Sequence, residues 1–76
     1  MNKRSVSIRG HRTSFSLEDD FWNELKIIAK VRKISLAQLV TQVDLRRDEE
    51  ENLSSALRLF VLRELKSKLA NIGTPQ

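Results

Sequence analysis

Cysteine is absent from this 76-residue chain and histidine occurs once, as His11. Those two scarcities exclude much of the chemistry a small protein can carry. No disulfide can staple a core of this size, and no thiolate is on hand as a nucleophile or soft metal ligand. A lone histidine has no second His or Cys at ligand spacing, so no metal site is expected. His–acid pairs and glycine-rich phosphate loops are missing too; no cofactor and no catalysis are expected. No apolar run approaches the roughly 18 residues that span a membrane, and no apolar leader follows the basic start. A soluble, cytoplasmic chain without a membrane partner is expected.

What is present is charge, unevenly laid out. The net charge is +4, but Lys3, Arg4, Arg9 and Arg12 all precede the first acid, Glu18. Acids then gather at Glu18, Asp19 and Asp20 and again at Asp48, Glu49, Glu50 and Glu51. A basic arm suits phosphate contact, and would equally serve as a solubilising terminus; the acidic run reads as a solvated connection. The length allows one domain, near the lower limit for a self-sufficient core. Oligomerisation is then the natural way to bury more apolar surface.

The period of the apolar residues divides the chain. Arg12 to Leu17 alternates, with Phe15 and Leu17 on one side and Arg12, Ser14 and Ser16 on the other, the period of a strand. A weaker alternation, Ser5 to Arg9, places its apolar residues on even numbers rather than odd, with Gly10 between the two phases as a candidate bulge. The residues fit an arm leading into a two-stranded ribbon shared by two chains. They also fit a hairpin in which Arg9–Arg12 joins two strands of one chain. The shared ribbon is the favoured reading, because a lone strand cannot satisfy its own backbone groups.

Three helices follow. The first is expected from about Glu18 to Arg32, with Ser16 and Asp19 approximating a cap and Phe21, Leu25 and Ile28 forming a stripe beside Trp22 and Ala29. Trp22 reads as a core or interface residue rather than a base-stacking platform. Ile27 and Val31 lie nearly opposite the stripe and are expected to pack on the third helix near Leu59 or Phe60, in the same chain or a partner. Lys33 and Ile34 make a break. Ser35 with Gln38 is a capping box opening a second helix, whose Leu36, Leu39, Val40 and Val43 share one face. Asn52 or Ser54 is expected to cap a third helix reaching about Ala70. There Leu57, Phe60 and Val61 belong to a surface apolar almost all round, pointing to burial on several sides and a dimer interface. Gly73 suits the helix stop.

Chemistry concentrates on the strand and the second helix start. Arginine can fork onto guanine and serine can give or accept on several base edges, so Arg12, Ser14 and Ser16 are candidate base contacts. Free amides at Ser35, Leu36 and Ala37, with Lys33 beside them, are a candidate phosphate site. Lys3, Arg4, Arg9 and His11 on the arm are further phosphate candidates.

The stretch RTSFSLEDDFWNELKIIAKVRKISLAQLV, residues 12–40, resembles the ribbon-helix-helix family of dimeric bacterial DNA-binding proteins. With SVSIRGHRTSFSL before it and NLSSALRLFVL after it, the chain looks like a small subgroup with an extended C-terminal part. The resemblance implies a mostly α fold with one N-terminal β-strand: an intertwined homodimer with an intermolecular two-stranded antiparallel ribbon and an extra C-terminal helix. It divides the chain into a basic arm (1–11), the domain (12–70) and a tail (71–76). It puts Arg12, Ser14 and Ser16 in the major groove, and it implies a cytoplasmic transcriptional repressor that binds double-stranded DNA as a homodimer, with further association of dimers on DNA left open. The different reading is a small helical interaction module, antitoxin-like, with a basic arm and a protein partner on its C-terminal helix.

Overall fold

The first reversal of the chain decides the rest. In the computed structural model, which describes residues 2–73, Asn2–Ile8 forms strand β1 and His11–Leu17 forms strand β2, paired antiparallel. Asn2 faces Leu17, Arg4 faces Phe15, Val6 faces Thr13 and Ile8 faces His11, so each pair joins an even-numbered residue to an odd-numbered one. That register explains the change of phase between the two alternations. Gly10 is no bulge: it and Arg9 make a two-residue turn, with φ of 82° and 51°. Positive φ at both central residues is the hairpin geometry whose twist matches that of the strands.

The ribbon expected between two chains is thus formed inside one, and the stretch expected as a basic arm is β1. The turn supplies the reason. A two-residue loop closes at little cost in chain entropy, whereas an intermolecular strand also surrenders the translational freedom of a second copy.

One face of the hairpin covers the helices. Ile8, Phe15 and Leu17 are buried and Val6 is half-buried against them. Helix α1, Asp19–Arg32, contributes Leu25, Ile28 and Ala29; helix α2, Leu36–Arg46, contributes Leu39, Val40 and Val43. Helix α3, Leu53–Gly73, adds Leu53, Ala56, Leu57 and Val61. The fold is mostly helical and carries the extra C-terminal helix, as expected. Phe21, Trp22 and Phe60 are half-buried at the edge, with the Trp22 ring tilted against Phe15 at 6.1 Å. Every buried side chain among the described residues is apolar. Fully burying a leucine such as Leu39 is worth about 1.5–3 kcal/mol, so this cluster drives the fold.

The helix ends follow local chemistry where it is strong and tertiary contacts where it is weak. At α2, Ser35 Oγ accepts from the Gln38 amide at 3.0 Å and Gln38 Oε1 accepts from the Ser35 amide at 2.9 Å. Helix α1 ends with Lys33 at φ 59°, where the Lys33 amide reaches the Lys30 carbonyl (3.1 Å) and the Ile34 amide the Ala29 carbonyl (3.0 Å). This is a Schellman stop with lysine at the site glycine usually takes. Ser16 does not cap α1; it lies within β2, and its carbonyl accepts from Ser54 Oγ at 2.8 Å. The N-cap is Glu18, without a side-chain capping bond of its own. Asn52 caps α3 by accepting from the Ser55 amide at 2.8 Å.

Two expectations about apolar surface are not met within one chain. Ile27 and Val31 remain 48% and 69% exposed, so α3 of their own chain does not cover them. Helix α3 buries one side only: Leu59, Leu62, Leu65 and Leu69 stay in solvent, the last at 67%. Of the expected tail, 71–73 continue α3, and 74–76 lie outside the described residues.

Candidate nucleic-acid interface

Antiparallel pairing sorts the hairpin into two surfaces. Directly opposed residues point the same way, so the outer face carries the pairs Lys3 with Ser16, Ser5 with Ser14, and Ser7 with Arg12. All six are exposed. The face holds two cations, four hydroxyls and no acid. Ser5 and Ser14 approach each other at 3.2 Å between their Oγ atoms across the ribbon centre. Among the described residues neither Lys3 nor Arg12 has an acidic partner. They stand at opposite corners, about 13 Å apart along the strands, since four residues of strand rise about 3.3 Å each. A two-stranded ribbon of this kind fits the major groove, and its hydroxyls and guanidinium can bond base edges.

Arg12, Ser14 and Ser16 therefore share one surface. Ser5 and Ser7 belong to it as well, although the strand alternation of residues 12–17 does not bring them in, and so does Lys3, expected on phosphate. The signal for all three is the even-numbered position of Val6 and Ile8, which sends the odd residues outward. Arg4 goes the other way. It sits on the inner face, its guanidinium 4.7 Å from the centre of the Trp22 ring and its Nη2 donating to Asp19 Oδ1 at 2.7 Å. Asn2 Nδ2 donates to the same oxygen at 2.6 Å. Arg4, expected on phosphate, is an internal tie between the hairpin and the start of α1; its charge is plain in the sequence, whereas its face follows from the register.

The remaining phosphate candidates lie around the rim. Arg9, at the hairpin tip, is largely exposed and loosely paired with Asp44 at 3.7 Å. His11 is exposed beside the same turn, opposite Ile8. Lys33 is exposed, immediately before α2. At the start of α2 the Ser35 amide is already taken by Gln38. Of the expected amide cluster, only those of Leu36 and Ala37 remain free to donate at the positive end of the helix.

The electrostatics beneath the hairpin hold the helices rather than the site. Arg58 Nε donates to Glu18 Oε1 at 2.8 Å, and this bond keeps the Glu18 carboxyl below its usual range, helped by a backbone hydrogen bond. Arg32 bonds Glu64 at 2.8 Å and lies over the Phe60 ring. Among the described residues no group of three His, Asp or Glu is arranged to hold a metal ion. No helix there is long and apolar enough to cross a membrane.

A family model described as a ribbon-helix-helix domain matches residues 1–65. Proteins of that family bind DNA as dimers and regulate transcription; they are not enzymes. No curated protein and no solved structure matches the chain. The match takes in the hairpin, both following helices and more than half of α3, and by it the chain belongs to the ribbon-helix-helix family.

Proposed function

We propose that this protein is a homodimeric, sequence-specific transcriptional repressor of the bacterial cytoplasm, and that each copy lays the outer face of its hairpin in the major groove. The observation that carries this reading is the composition of that face: six exposed polar residues, no acid, and two cations without an acidic partner among the described residues. Nothing in the fold requires such a surface. A spacing of about 13 Å between Lys3 and Arg12 covers roughly four base pairs at about 3.4 Å per step. Arg12 forks onto a guanine, and the serines bond neighbouring base edges. Arg9, His11, Lys33 and the free amides of Leu36 and Ala37 meet phosphates, which position the ribbon without reading sequence.

Selection from random duplexes, followed by titration of binding at several salt concentrations, tests this. A recovered motif is expected, with affinity falling by about 0.9 in logarithmic slope for each phosphate neutralised. Failure to enrich any motif, with affinity equal on all duplexes, would remove the sequence-reading role.

The exposed leucines of α3 favour a second reading, in which the chain is an antitoxin-like module whose C-terminal helix docks a protein partner. The acid-free hairpin face has no task in that reading alone.

A further inference from the structure

Two exposed stripes are left once the fold is built, and their chemistries are complementary. On α1, Asp20, Glu24, Ile27 and Val31 recur at i, i+4, i+7 and i+11, one side of a helix. Asp20, Ile27 and Val31 are exposed and Glu24 is half-exposed. This stripe is acidic at its N-terminal end and apolar at its C-terminal end. On α3, Leu59, Leu62, Leu65 and Leu69 run along the side opposite the buried Leu57. The C-terminal half of that stripe is flanked by exposed Arg63, Lys66 and Lys68. The acid nearest to it, Glu64, points to Arg32 of α1. The α3 stripe is therefore apolar first and basic afterwards.

The two stripes do not meet inside one chain. There α1 and α3 touch through Arg32, Phe60 and Glu64, on other sides of both helices. Contiguous apolar surface rimmed by charge marks an interaction site more often than scattered exposed residues do.

We propose that the α1 stripe of one chain docks antiparallel on the α3 stripe of a second copy of this chain. Both helices rise about 1.5 Å per residue, so one register serves the whole length. Val31 then meets Leu59, Ile27 meets Leu62, and Glu24 and Asp20 reach Lys66 and Lys68. A two-fold axis makes the contact twice. Pairing two α3 stripes with each other is disfavoured, because Arg63, Lys66 and Lys68 of both copies would crowd together with no free acid to offset them. This interface deepens the dimer proposed above and rests on it.

The absence of cysteine makes disulfide trapping a clean test, since any cross-link must come from an introduced thiol. Chains carrying Ile27→Cys and chains carrying Leu62→Cys are mixed and oxidised mildly. The heterotypic disulfide is expected to form faster than either homotypic one, because only that pair comes within the Cα separation of about 4.4–6.8 Å that a disulfide spans. Faster homotypic coupling of Leu62→Cys, or no coupling above the rate of free thiols, overturns the interface. As a second arm, Glu24→Lys should weaken self-association about tenfold in sedimentation, through removal of two ion pairs and creation of two repulsions. Adding Lys66→Glu in the same chain should restore it; no restoration overturns the register. Both sites lie at the surface, so folding is preserved. Wild-type binding to duplex DNA is measured alongside. A heterotypic disulfide with no DNA binding sinks the regulator reading alone, and DNA binding by a chain that does not couple sinks the interface alone.

Discussion

Two surfaces of this chain stand in water without being needed by its core: the outer face of the hairpin and the outer face of α3. The first is polar throughout and carries cations but no acid. The second is a row of leucines. They arise by the same device, a secondary element with one side buried and the other left over, but by different periods. The strand sends alternate residues outward, so its spare face is set by parity; the helix spare face is set by a three-to-four residue step. A polar spare face is stable in water and can wait for a ligand, whereas an apolar one raises the free energy of the lone chain until something covers it.

Neighbouring residues on the hairpin give the sharpest way to break that comparison. Phe15→Asp puts a carboxylate into the core and should cost several kcal/mol, enough to unfold a domain of this size, as read by circular dichroism. Ser14→Asp, one residue away on the outer face, should leave melting nearly unchanged and abolish DNA binding by repelling phosphate. On α3, Leu57→Ala should cost about 2–5 kcal/mol at any protein concentration. Leu62→Ala should change the stability of dilute protein by only a few tenths of that, its effect growing as concentration promotes assembly. Equal losses at the two leucines would mean that the outer side of α3 is covered within the chain.

Arg12→Ala should reduce discrimination between a selected motif and random duplex by about 1–3 kcal/mol for each base that the guanidinium no longer bonds. Lys33→Ala should weaken both duplexes alike and lower the salt slope by about 0.9. If Lys33 changes the specificity ratio and Arg12 does not, the hairpin face is not the reading surface. At the turn, Arg9 holds a left-handed conformation that costs an ordinary L-residue roughly 1–2 kcal/mol and suits asparagine better. Arg9→Asn should therefore raise the melting temperature by several degrees.

The smallest effect is expected from pH. Because the Glu18 carboxyl titrates lower in the folded chain, its bond with Arg58 adds stability above the ordinary glutamate range. That stability is lost as pH falls through the folded value. Replacing Arg58 by methionine should flatten the acid limb of the stability profile between about pH 5 and 3, close to the ordinary glutamate value of about 4.3. An unchanged limb would show that the pair does not hold α3 to α1.

The same contrast between local and distant causes marks what the residues disclose by themselves. The α2 cap is legible because Ser35 and Gln38 lie one turn apart and cap each other. The α1 cap is not, because Glu18 is held by Arg58, forty positions away, and no periodicity reports such a contact. The outward side of β2 can be read from Phe15 and Leu17. Whether its partner strand comes from the same chain cannot, since alternation has the same period in a hairpin and in a shared ribbon. For Arg4, charge points to phosphate and parity is the better guide: its even number places it with Val6 and Ile8, against Trp22. The split of α3 into a buried and an open side is hidden by a sequence apolar almost all round, in which only packing decides the side that is covered.

Closing the ribbon through a two-residue turn also sets the order of events. A hairpin of this kind closes on the order of 1–10 μs, and its contacts are local in sequence. Two chains at micromolar concentration, associating at about 10⁵–10⁷ M⁻¹s⁻¹, need on the order of 0.1–10 s to find each other. The face proposed for the groove is complete thousands of times sooner than any encounter between copies. If that face binds DNA as proposed, a chain fresh from folding can rest on the duplex before it meets a second copy, and the duplex, where sliding confines the search to one dimension, becomes a place for two copies to meet.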